Sequence, residues 1–265
     1  MYTDKQLLEE IASKRKTLSQ RPVLEAMLTG RFDTRNYRES LQHSARIAES
    51  AMEQLKDLSP KEQQKYVEEN LGKTLADLTR AWNYGVDHYR FPFDENCVLE
   101  VASRVEPEIF NDSKADYRRL TLGVRPGRDA SVTPPYPAKI PHEMKKFFEN
   151  MNSLQEQWAK ESSESILDIS SWVHLHMVRI HPFEDGNGRT ARLMSNLMLV
   201  KNNYPPLFIA EGERKTYNKL LDRAVVGFKN RESGLVYERE QISEEEKILY
   251  DYFAGKINSA FDEMF

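Results

Sequence analysis

Long apolar runs are missing from this 265-residue chain, and so is cysteine, apart from Cys97. No segment approaches the ~20 apolar residues of a membrane span. The N-terminal "MYTDKQLLEEIASKRK" lacks the uninterrupted apolar core of a signal peptide, so a soluble, unprocessed protein without a membrane partner is expected. A single thiol excludes an internal disulfide framework and fits a reducing compartment, which makes the cytoplasm the expected location. An excess of one charge is lacking as well. Thirty-eight basic residues face 42 acidic ones, for a net charge of -4 and a pI near 6.0, so nothing pulls the whole chain toward nucleic acid.

Long period-2 alternations are also absent, while period-3.6 patterns recur, which makes this an all-α fold. Residues 1–80 read as an N-terminal helical region of charged amphipathic stretches, with Ser59 placed to cap a helix before Pro60. A core follows over 81–230, with helices expected at 75–89, 97–107, 142–160, 166–180 and 189–200 and around 217–226. An acidic helical tail closes the chain over 231–265. The helices at 166–180 and 189–200 are apolar around most of their circumference and should be central. Between the earlier and later helices, residues 121–141 carry five prolines and two glycines. This composition predicts a loop or small β-hairpin, read equally as a docking segment or as a surface connection.

The two central helices are joined through "HPFEDGNGRT", residues 181–190. Asp185 or Asn187 occupies the N-cap position, and Gly186 and Gly188 let the backbone turn so that successive N–H groups converge on an anion at a helix start. Arg189 and Arg192, three residues apart, share one face of the first turn. There a cation opposes the helix dipole by ~0.3 to 1 kcal/mol unless an anion sits beside it. A polyphosphate suits two guanidinium groups and several N–H donors. Asp185 at the same mouth would repel phosphate unless Mg²⁺ lay between them. His181, ending the preceding helix, can take a proton from an incoming hydroxyl. Together these groups describe transfer of a phosphorus-centred group. Phe183 reads as a core anchor. A zinc site using His174, His176, His181 and Asp185 is disfavoured, because His174 and His176 lie two apart and point to different helix faces.

"HPFEDGNGRTAR" matches in full the pattern H-x-F-x-[D/E]-G-N-G-R-x-x-R and resembles the Fic-domain family, as do "YRRLTLG", "PPYPAKIPHEM", "NYPPLFI" and "RKTYNKLL" around it. The resemblance implies a Fic-like helical bundle with a small β-hairpin flap and a core over 81–230. It also implies a Mg²⁺-dependent protein adenylyltransferase, which moves AMP from ATP to a hydroxyl side chain of Ser, Thr or Tyr on a target protein. By that resemblance His181 would be the general base and Asp185 the Mg²⁺ ligand. Gly186, Asn187 and Gly188 would surround the phosphates, Arg189 and Arg192 would clamp them, and Tyr217 would help hold the nucleoside. Residues 121–135 resemble the flap that aligns the target. Family members carry an inhibitory helix with the pattern [S/T]-x-x-x-E-[G/N]. The nearest segment, "ESAMEQ", makes Glu53 the candidate inhibitor, although Glu49 and Gln54 depart from the pattern, and an ordinary glutamate on an amphipathic helix is the other reading. Transfer of UMP, GMP, phosphate or phosphocholine, a catalytically silent nucleotide-binding module, self-modification and homodimer formation stay open at this stage.

Overall fold

The computed structural model describes residues 3–19, 42, 44, 59–110, 115–120, 132–158, 165–231 and 242–262, and no strand occurs among them. The helices are α1 (Lys5–Ser19), α2 (Pro60–His88), α3 (Glu95–Val105), α4 (Pro107–Phe110), α5 (Ile140–Trp158), α6 (Ser165–Ile180), α7 (Asn187–Lys201), α8 (Arg214–Asn230) and α9 (Glu244–Asp262). The expected all-α fold is borne out. Glu53 and residues 121–131, the greater part of the expected hairpin, lie outside the described residues. Among these residues no helix is long and apolar enough to cross a membrane.

Local chemistry starts the helices where capping residues stand. Ser59 caps α2, accepting a hydrogen bond from Glu62 N, and the Glu62 carboxylate accepts from Ser59 N at 2.9 Å. Asp94 caps α3 through Cys97 N at 2.8 Å. Ser243 and Glu246 make the same reciprocal box at the start of α9. Cys97 is buried, and burial pushes its thiol up to about 11, so this lone cysteine is inert as a nucleophile.

The central pair is α6 and α7. Helix α7 is buried from Arg189 to Val200, walled by α6, α2 and α3. Helix α6 packs in turn on α5, α8 and α9. Three serines of this pair bond to carbonyls of α6: Ser170 and Ser171 both donate to Leu167 O, and Ser195 donates to Ser170 O. Helices α2 and α7 approach so closely that a Cβ on Gly85 would meet Leu197 Cδ1 at 2.3 Å.

Packing runs across the residues where two of the expected boundaries lie. Helix α2 runs unbroken through the 80/81 boundary, because its apolar face (Leu78, Ala81, Trp82) continues across it. The expected tail is a wall of the core: Leu249, Tyr250, Phe253, Ile257 and Phe261 of α9 are all buried among the residues of α1, α6 and α8. The N-terminus is tied in as well, with Thr3 N and Oγ1 donating to Asp168 of α6 at 3.0 and 2.6 Å. One contiguous cluster, from Leu8 to Phe261, holds the helices together.

Helix α6 also buries two histidines. His174 sits between Tyr217, whose hydroxyl lies 2.8 Å from Nε2, and Ser195. His176 lies against Trp172 and Phe228 and accepts from Arg179 Nε at 3.2 Å. They face different surroundings, and no group of three or more metal-ligating side chains is found among the described residues. Burial, with the Arg192 charge adding, pushes His174 down to about 3; burial also holds His176 well below the usual range. Both are therefore neutral when folded, and the unfolded chain binds their protons first. Stability present above pH ~6.5 should fall as pH drops, by up to about 1.4 kcal/mol per pH unit for each histidine. Urea unfolding between pH 7.5 and 5 should show this slope, and His176→Gln should flatten it.

Candidate active site

Helix α6 does not stop at Ile180 by default. His181 N donates to Met177 O at 3.0 Å, and His181 then takes φ 53, a left-handed conformation that closes a helix end and is uncommon without glycine. Pro182 follows, and the chain turns away. The left-handed turn swings the imidazole out of the α6 spiral and leaves it half-buried. Its Nδ1 lies 3.3 Å from Val178 O. A carbonyl can only accept, so this contact favours the tautomer protonated at Nδ1.

Phe183 is wholly buried, edge-on to Phe110 at 6.3 Å and beside Tyr117, and so anchors the loop as expected. Asn187 makes the decisive local bonds. Its side-chain oxygen accepts from Phe183 N and its nitrogen donates to Phe183 O, both at 2.8 Å. The side chain thus holds the loop closed and is not itself a helix cap. Neither expected N-cap, Asp185 or Asn187, fills that position. Gly186 does, with φ 75 and no side-chain hydrogen bond. Only glycine fits there, because a Cβ would stand 2.7 Å from Glu106 Cγ as well as strain the backbone. The N–H groups of Asn187, Gly188 and Arg189, which no intrahelical carbonyl can reach, are thereby left without a side-chain cap at the start of a buried helix, the arrangement that receives an anion.

Arg189 stands in this first turn and Arg192 in the second, 9% and 7% exposed, so neither charge is relieved by bulk water. Arg189 pairs with Glu106 at the end of α3 and lies 3.7 Å from Asp185 Oδ2. Arg192 folds back along the helix: a Cβ on Gly188 would lie 3.3 Å from its Nη1, and its Nε donates to Ser44 Oγ at 2.8 Å. Asp185 is the exposed acid of the mouth, with Oδ1 accepting from Gly186 N at 2.6 Å. One exposed carboxylate beside an anion cradle fits a Mg²⁺ ion shared with phosphate oxygens.

The structure therefore gathers His181, Asp185, Gly186, Asn187, Gly188, Arg189 and Arg192 at one helix junction. Tyr217 is 2% exposed, with its hydroxyl on His174 and its ring against Phe253. Three residues escaped sequence reasoning. Glu106 and Ser44, the partners of the two arginines, lie 83 and 148 positions away from them in the chain, and no spacing signals such pairs. Arg118 stood only within the quoted "YRRLTLG".

Residues 92–199 match the Fic/DOC family model. The protein adenylyltransferase Fic of Drosophila grimshawi is 32% identical over 130 residues, which is 49% of this chain and 25% of that protein. The chain thus spans about a quarter of the length of the curated relatives it matches. Among solved structures, a Fic domain containing signaling protein from Bacteroides thetaiotaomicron superposes with a TM-score of 0.67 at 18% identity, covering 97% of this chain and 95% of that one. IbpAFic2, solved in complex with adenylylated Cdc42, superposes with a TM-score of 0.54 at 13% identity, covering 96% and 70%.

The geometry makes Asn187 the structural keystone of the loop, with a measurable consequence. Asn187→Ala strands a buried donor and a buried acceptor and should cost about 2–4 kcal/mol in chemical denaturation. Asn187→Asp, which sets a carboxylate oxygen against Phe183 O in the same dry site, should cost at least as much. The segment that matches the Fic/DOC family model, residues 92–199, carries both central helices and the loop between them, so the likeness falls on the candidate site itself.

Proposed function

We propose that this protein is an adenylyltransferase that moves AMP from ATP to a hydroxyl side chain of a target protein. The observation that carries this reading is the uncapped, buried start of α7, flanked by two arginines and joined through one short loop to the half-buried His181 imidazole. The family match and the names of the curated relatives support the same chemistry.

In this reading the N–H groups of residues 187–189, with Arg189 and Arg192, bind the phosphate chain of ATP and hold it still. Mg²⁺, held by Asp185 and phosphate oxygens, would neutralise part of the triphosphate charge. His181 Nε2 takes the proton from the target hydroxyl as that oxygen attacks the α-phosphorus. The bond from the α-phosphorus to the bridging oxygen breaks, and pyrophosphate leaves with the bond electrons on its oxygen. Val178 O, by accepting from Nδ1–H, favours the imidazolium that forms.

Glu106 and Ser44 occupy the two arginines when no phosphate does. ATP must displace the Glu106 carboxylate from Arg189, so Glu106→Gln should bind ATP about fivefold more tightly by calorimetry, as expected for removal of a competing ion pair of ~1 kcal/mol.

The activity itself is tested by incubating the protein and a cell lysate with Mg²⁺ and ATP labelled at the α- or the γ-phosphorus. Label from the α position alone should appear on protein. His181→Ala should abolish that transfer while keeping ATP affinity within about threefold. Transfer from the γ position, or full transfer by His181→Ala, would overturn the assignment.

A further inference from the structure

Arg118 is 2% exposed and makes no ion pair with any carboxylate of the described residues; burial alone lowers its proton affinity. A buried guanidinium without an acid partner is costly unless its donors are fully used. Here they are spent on carbonyl oxygens from three places in the chain. Nε donates to His181 O at 2.7 Å, Nη1 to Leu120 O at 2.8 Å and Nη2 to Pro135 O at 2.5 Å. The backbone N of the same residue donates to Pro182 O at 2.8 Å.

These four bonds have a common geometry. Two successive carbonyls, those of His181 and Pro182, are held by one residue, so the peptide that follows the imidazole cannot rotate. His181 sits at φ 53, where a small rotation of that peptide would redirect its ring. The other two bonds fasten both ends of the segment 121–134 to the same guanidinium. Lys229 Nζ holds the later end a second time, donating to Thr133 O at 2.8 Å.

We propose that Arg118 is a positioning residue: its guanidinium locks the backbone of His181, Leu120 and Pro135 into one frame, setting the imidazole against the incoming hydroxyl. This rests on the adenylyl-transfer reading for its rate consequence, but not for its effect on the imidazole. Lysine keeps the charge and loses the fork, because one ammonium cannot address three carbonyls in a plane.

Arg118→Lys separates the effects. ATP affinity by calorimetry should stay within about threefold of the parent, since Arg118 touches no group of the cradle. The rate of AMP transfer should fall about 100-fold, in kcat and not in KM for ATP, as expected for a misplacement on the order of 1 Å. In ¹⁵N spectra, with His181 assigned by difference from His181→Ala, a single Nδ1–H tautomer in the parent should become a mixture. Transfer and tautomer both as in the parent would overturn the proposal, and so would ATP affinity lost in step with the rate, which would make Arg118 a residue of the fold alone. If Arg118→Lys fails to unfold cooperatively, Arg118→Gln, whose amide still donates two hydrogen bonds, is carried through the same measurements. A parent protein that moves no AMP would defeat the adenylyl-transfer reading and leave the tautomer to decide the role of Arg118.

Discussion

The side-chain amide of Asn187 bonds both backbone groups of Phe183 from inside the core, and that pair of bonds fixes the connection between the two central helices. With the loop clamped, Gly186 is held at φ 75 and the start of α7 faces the mouth without a cap. Were the loop free, the first N–H groups of α7 would find water or a neighbouring side chain, and nothing would keep His181 opposite them. The clamp works only because its surroundings are dry: Phe183 is wholly buried and Asn187 is 3% exposed, so water does not compete for the amide.

Around that clamp the electrostatics are arranged against the ordinary preference of a helix. Two arginines stand at the positive end of α7, nearly out of water, and the fold accepts them by supplying partners from distant segments. These partners are of different strength. Glu106 offers a full charge to Arg189, whereas Ser44 offers Arg192 a hydroxyl and a carbonyl. A phosphate chain entering the cradle therefore meets more resistance at the first arginine than at the second. The buried histidines of α6 show the other side of this economy, since they are kept neutral by burial and the nearby cations and serve the packing.

Much of this was legible in the order of residues. Ser59 before Pro60 marked the start of α2, and the apolar circumference of 166–180 and 189–200 marked the central pair, because capping and periodicity are local properties. The motif located His181, Asp185, Arg189 and Arg192 at one junction for the same reason: twelve contiguous residues cannot move far apart. Where reasoning needed a neighbour from elsewhere it went astray. The N-cap was assigned to Asp185 or Asn187 by residue preference, yet Asn187 is drawn to Phe183 and Gly186 takes the cap because Glu106 and Val105 press on it. The C-terminal segment looked like a tail because its charge is acidic, while its apolar stripe finds α1, α6 and α8.

Sequence by itself determined the helical class, the two central helices and the chemical inventory of the loop between them, since each depends on residues within a few turns of one another. Tertiary structure alone decided which groups balance the arginines, that Tyr217 turns its hydroxyl to His174, and that Arg118 grips the histidine's own backbone. Those are contacts between segments tens to more than a hundred residues apart, and only the closing of the core around α6 and α7 brings them within hydrogen-bonding distance.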